Sequence, residues 1–180
     1  MAAPIVSWRT VDNISVFSSW PIGTVDAGQA KPVDGQPFLV WNNRNGITDV
    51  SDMQNCTIIT KDNVGGDTGE LVINKWIQVK VVSLGESGWT PIGKNTPKTI
   101  RTNGCTTNGD GQWYPNVAPH AGEGTSYDIL GVKNSDGGNP ASGLTVAAGN
   151  YVSILARANV PSNAGAGTTN FKLRVAYQYV

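Results

Sequence analysis

The sequence predicts an all-β protein, an antiparallel β-sandwich of Ig-like or jelly-roll type in a single domain, and three observations carry that prediction. The chain holds 19 Val and 12 Ile against 7 Leu, and β-branched side chains, stiff at χ1, suit a pleated surface better than a helix. Apolar and polar residues alternate at period two in several runs. Between the runs lie Asn45-Gly46, Asn103-Gly104, Asn108-Gly109, Asp110-Gly111 and Asp136-Gly137, pairs that reach the positive-φ geometry of tight turns at little cost. No window of helical periodicity is long enough to compete, and no repeat recurs at a fixed period.

Taken in chain order, residues 5–9 and 14–20 open the series, so that 1–20 reads as an N-terminal strand or arm and 21–180 as the sandwich domain. Residues 38–41 form a short apolar run, and 55–61 and 75–82 alternate, the second through Ile77, Val79 and Val81. A polar hairpin is expected between the strands around Ile58 and Ile73. Shorter β runs follow at 99–101 and 127–132. The segment 103–124 is the one long irregular stretch, and loops of that size in a compact domain are usually functional or disordered. At the C-terminal end, 151–157 alternates Val152 and Ile154 against Ser153. The last run places Phe171, Leu173, Val175, Tyr177 and Tyr179 on one face and Lys172, Arg174, Ala176 and Gln178 on the other. The Pro/Gly-rich connection between these two has turn chemistry, and the two strands are expected to pair.

Composition narrows the function classes. Thirteen Lys and Arg balance thirteen Asp and Glu, so nothing draws the chain toward a polyanion, and a nucleic acid is not an expected partner. Charged residues are only 14% of the total while Asn numbers 17, Thr 16 and Gly 22: the surface stays wet without charge. No run approaches the roughly 18 apolar residues of a membrane helix. The first nine residues have neither the basic nor the apolar region of a signal peptide, which points to a protein made and used in the cytoplasm or exported by another route. In that setting Cys56 and Cys105 are expected to stay reduced, and with no Cys-x-x-Cys pair they give zinc no support.

No constellation singles out a catalytic residue. His120, the single histidine, lies in the long loop without a Gly-x-Ser-x-Gly elbow; it reads as an exposed loop histidine before it reads as part of a triad, and hydrolysis is the remotest alternative. The acids Asp62, Asp67 and Glu70 would supply oxygen ligands to calcium, but their spacing is not that of an EF-hand loop. The phosphate-loop pattern Gly-x-x-x-x-Gly-Lys-Ser/Thr is absent. Neither a cofactor nor a metal is expected.

The six tryptophans are the sharper signal. Trp41 and Trp76, inside strand runs, are core by default. Trp8 and Trp20 lie near the start, Trp20 ahead of Pro21; Trp89 follows Gly88, and Trp113 and Tyr114 precede Pro115 in the long loop. Exposed Trp and Tyr give large, rigid contact area. Trp8, Trp20, Trp89, Trp113 and Tyr114 are therefore the candidate interaction residues, for a neighbouring protein or, alternatively, for stacking on a glycan. The structural reading is that each ring folds over the rim of its own core.

The stretch Asn159-Val160-Pro161-Ser162-Asn163 with the strand Phe171 to Tyr177 resembles the penultimate turn and last strand of an Ig-like sandwich. Trp20-Pro21-Ile22-Gly23 and Phe38-Leu39-Val40-Trp41-Asn42-Asn43 are similar in style to structural proteins of tailed bacteriophages. The resemblance implies a non-enzymatic virion component, such as a tail, baseplate or capsid-decoration protein, made in the host bacterial cytoplasm. Its partners would be copies of itself or other virion proteins, with no nucleic acid and no membrane. A surface poor in charge suits that role, because interface centres are depleted of charge, and open sheet edges offer a second route to assembly. The segment 2–20 is the expected inter-subunit arm.

Overall fold

The computed structural model describes residues 1–25, 32–102, 105–107, 113–115, 128–133 and 148–180. Its strands are β1 (Val6–Thr10), β2 (Pro32–Asn42), β3 (Gln54–Asp62), β4 (Ile77–Val81), β5 (Thr90–Ile92), β6 (Lys98–Thr99), β7 (Cys105–Thr107), β8 (Trp113–Pro115), β9 (Tyr151–Asn159) and β10 (Phe171–Gln178). A single helical turn, α1 (Glu70–Ile73), interrupts them. The strands form a five-stranded sheet in the order β1-β2-β9-β4-β5, a three-stranded sheet β10-β3-β6, and the pair β7-β8. Every pairing between these strands is antiparallel. The two larger sheets close on one apolar core, and the protein is an all-β sandwich.

Alternation decides which side chains reach that core. Val152, Ile154, Ala156 and Ala158 of β9 point inward with Phe38 and Val40 of β2 and Ile77, Val79 and Val81 of β4, while Cys56 and Ile58 of β3 meet them from the opposite sheet. Each buried Val or Ile contributes roughly 1.5–3 kcal/mol of transfer free energy. Thr60, the one hydroxyl here on the inner face of β3, is fully buried and donates to the Ile92 carbonyl at 3.1 Å, so its polar group is not left unpaired. On the other face of β2, Leu39 and Trp41 are buried as well, with the Tyr151 ring 4.6 Å from that of Trp41. The unbroken apolar run Phe38-Leu39-Val40-Trp41 thus belongs to a strand covered on both faces.

Several expectations are corrected. β9 and β10 do not pair: β9 lies between β2 and β4, whereas β10 joins β3 in the other sheet. The connection between them crosses from one sheet to the other because each strand keeps one apolar stripe, and both stripes must face the same core. The strand expected around Ile73 is the turn α1, whose Leu71 and Val72 are buried. Residues 128–133 touch Met53 through a single bridge at Ile129 instead of forming a strand. Gly131 passes so close to Val50 that a Cβ there would sit 2.1 Å from its carbonyl oxygen. The Asp52 and Asp49 carboxylates accept the amides of Gly131 (2.7 Å) and Lys133 (2.8 Å), replacing ladder bonds with side-chain ones.

The segment 1–20 lies on its own sheet. β1 runs antiparallel to β2, from Val6 opposite Asn42 to Thr10 opposite Phe38. The chain then reverses through Asn13 (φ 61°), where the Asp12 carboxylate accepts the Ile14 amide at 3.0 Å and the Thr10 hydroxyl. These bonds hold the exposed Asp12 carboxyl below its ordinary value. On the return, Phe17 donates to the Trp8 carbonyl at 3.1 Å. Ala2 forms a parallel bridge to Val50. The segment expected as an inter-subunit arm contains this edge hairpin, and its rings at Trp8, Phe17 and Trp20 pack within the chain.

Cys56 is a free, buried thiol that donates to the Met53 carbonyl at 3.2 Å. Burial, reinforced by the nearby Asp128 carboxylate, pushes its pKa up to about 12. At pH 8 the thiolate fraction is then about one in ten thousand. Iodoacetamide is expected to leave the Cys56 peptide unmodified in the native protein and to label it fully in denaturant, read by peptide mass spectrometry. Labelling of the native Cys56 peptide at the rate of a free thiol would contradict this burial.

Candidate interaction surface

The sandwich is open along one side, where the hairpin of β1 ends one sheet and β10 ends the other. Apolar rings converge there. Trp8 stacks on Phe38 at 5.4 Å, and Phe17 stacks on the same ring at 4.7 Å with only 8° between planes. Trp20 meets Phe171 edge-on, at 6.0 Å and 81°. Aromatic pairs in such geometries add about 0.5–1.5 kcal/mol each beyond the area they bury. They order the chain as it leaves the hairpin toward Pro21.

Two concavities flank Phe171 on this side. One, of about 300 Å³, is walled by Trp8, Phe17, Trp20, Phe171 and Leu173. The other, of about 370 Å³, has Ile22, Leu71, Trp76, Val160 and Phe171 among its walls. Gly165 and Gly167 border the second, and the Gly165 amide is held by the Glu70 carboxylate at 3.1 Å. The walls mix these apolar rings and side chains with polar groups, Ser18, Ser19 and Lys172 in the first and Thr24 and Thr169 in the second.

The tip of the hairpin exposes three apolar residues, Ile14 at 74%, Val16 at 61% and Val11 at 54%, interleaved with the exposed Asp12 and Ser15. Single exposed apolar residues are ordinary, but three on one hairpin are a concentration. On the outer face of the five-stranded sheet, Trp89 lies against Arg157 (Cζ 4.4 Å from the ring centroid) and Lys80 (Nζ 5.0 Å), cation–π contacts within the protein. Arg157 is fixed in turn by Gln78, at 2.8 Å. At the hairpin's own end Arg44 donates to the Asn13 side chain at 2.9 Å and to its carbonyl at 2.8 Å. Burial, and Arg9 beside it, lower the Arg44 pKa.

The structure therefore brings Trp8 and Trp20 together at the open side and sets Trp89 apart from them. Trp113 and Tyr114 lie in β8, paired with β7; their side chains and His120 lie outside the described residues. The acids considered for calcium serve local structure. Asp62 accepts the amides of Thr68 (2.9 Å) and Gly69 (3.1 Å), and Asp67 pairs with Lys61 at 3.6 Å. Sequence reasoning missed Phe17, Phe171 and Leu173 as lining residues. Their signal was present in the alternation, but which strand ends a sheet is a tertiary fact. No family model, curated protein or solved structure matches the chain.

Proposed function

We propose that this protein is a non-enzymatic structural subunit that works by assembly, of the kind that forms tail, baseplate or capsid-decoration parts of a tailed-bacteriophage virion. The observation that carries this reading is the exposure of Val11, Ile14 and Val16 on an edge hairpin whose Trp8 and Phe17 wall a partly apolar concavity. Leaving such side chains in water is unfavourable, and covering them with another subunit removes that cost. A neutral exterior with 14% charged residues lets like copies approach without strong repulsion. The alternative, a glycan-binding module, would draw on Trp89, whose ring already lies against Arg157 and Lys80.

Light scattering on the full chain tests the reading. Assemblies heavier than 19.0 kDa are expected, and Ile14→Asp with Val16→Asp should shift the distribution toward smaller assemblies. Antibody raised against the chain should label purified phage particles. Saturable binding on a glycan array, abolished by Trp89→Ala, together with a strictly single-chain mass, would replace this reading by the alternative.

A further inference from the structure

The edges of the two sheets are not equally protected. Exposed strand edges recruit other strands, and proteins usually blunt them by making them short, kinked or covered. β5 is three residues long and contains Pro91, β6 is two residues long, and β1 is covered by its hairpin's return, bridged through Arg9 and Val16. β10 is the exception. It runs eight residues without proline or glycine, and it ends its sheet. Its pairing with β3 shifts register between Ala176 and Gln178, but the extra residue falls on β3, where Asn55 takes φ 51°. β10 itself stays regular, and no described residue pairs with its far side. Alternate backbone N–H and C=O groups of β10 thus face outward without a strand partner among the described residues.

We infer that β10 is the seat of a homodimer, in which the β10 of a second copy adds antiparallel to it about a twofold axis at Ala176. The inference rests on the assembly reading above and names the partner and the strand. The layout of side chains limits the register. Lys172 and Arg174 are the cations of the exposed face. A twofold at Arg174 would set Arg174 against Arg174, and one at Leu173 would set Lys172 against Arg174, arrangements that like charges disfavour. Twofolds at Val175 and at Ala176 both avoid this, and the one at Ala176, which sets Arg174 against Gln178, puts the smallest side chain of the exposed face on the axis. On the inner face, Val175 then meets Tyr177 and Leu173 meets Tyr179. These are aromatic–aliphatic cross-strand pairs, and they cover a Tyr179 ring that is 52% accessible in the single chain. The added strand also runs beside the concavity walled by Phe171 and Leu173.

Ala176 is exposed, so changing it tests the interface without disturbing the core. With the tip blocked by Ile14→Asp and Val16→Asp, light scattering on the full chain is expected to give twice 19.0 kDa, and half that mass when Ala176→Lys or Ala176→Glu is added singly, since each opposes like charges on the axis. An equimolar mixture of the two variants should recover the double mass. Ala176→Cys, oxidised in air, should give a covalent dimer on a non-reducing gel where the unaltered chain gives none, which keeps the test intact if a charged variant fails to fold. Masses unchanged by both charge substitutions, with no covalent dimer, would overturn the β10 interface and leave assembly through another surface standing. A single-chain mass of the unaltered protein at every concentration would overturn both proposals.

Discussion

Phe38→Ala is expected to destabilise the protein by about 3–5 kcal/mol, the range for deleting a large buried ring. Phe38 is fully buried and touches three parts of the fold. It lines the main core, it receives the Trp8 ring at 5.4 Å, and it receives the Phe17 ring at 4.7 Å. Removing it leaves a cavity whose walls belong to different segments, so collapse would have to move a strand and a hairpin together. The loss should therefore have a local signature beyond its size. Amides of 6–17 should exchange with solvent at a lower opening free energy than those of β9, because the hairpin loses the surface on which it stacks. Phe17→Ala, at a half-buried position on the same ring, should cost less. Chemical denaturation of the two variants with hydrogen exchange on 6–17 checks both statements. A Phe38→Ala cost under about 1 kcal/mol, well below the range for a packed aromatic, would show that the hairpin is not anchored there.

The parts of the fold that were legible in the sequence are those whose signal is local. β3, β4, β9 and β10 each alternate over five or more residues, and alternation is a property a strand carries by itself. β2 was recognised only over 38–41, because Pro32, Gly35 and Pro37 ahead of that run look like turn chemistry. The structure accommodates them by a register shift against β9 between Val33 and Gln36. Gly35 also packs so closely on Leu155 that a Cβ would lie 2.8 Å from its side chain. The pairing of strands was not legible, since β9 and β10 would satisfy their alternation equally well as a hairpin or as members of opposite sheets. Of the candidate residues, Trp8 and Trp20 could be named from their chemistry. That they share one open side with Phe171 depends on which strands end the sheets, and that information is spread over the whole chain.

The second large effect is expected at a polar residue. Asn42 is fully buried at the last position of β2, and its side chain links three segments as a ladder would. Its oxygen accepts the Ile5 amide at 3.0 Å, and its nitrogen donates to the carbonyls of Ser51 at 3.0 Å and Ile129 at 3.3 Å. Asn150 extends the network, donating to the Asn42 carbonyl at 3.3 Å and to that of Val132 at 2.6 Å. Asn43 adds bonds of 2.8 Å to the carbonyls of Thr48 and Gly131. Asn42→Leu keeps the volume but leaves the Ser51 carbonyl and the Ile5 amide without this partner, while the Ile129 carbonyl keeps the Met53 amide at 2.9 Å. With about 1–3 kcal/mol for each unpaired buried group and the Ile5 amide close to solvent, the expected loss is on the order of 2–4 kcal/mol. Asn42→Asp separates the two halves of the network. It keeps an acceptor for Ile5 but loses both donors and buries a carboxyl, whose folded-state pKa burial raises. A raised carboxyl pKa means that the folded state binds the extra proton, so the cost of Asn42→Asp should be smallest below the unfolded pKa of about 3.9 and grow as pH rises through and beyond it. Asn42→Leu should show no such pH dependence of its own. Thermal melts of the two variants between acid and neutral pH distinguish them, and a Leu variant as stable as the parent would mean that the Ser51 carbonyl and the Ile5 amide are held by something other than this side chain.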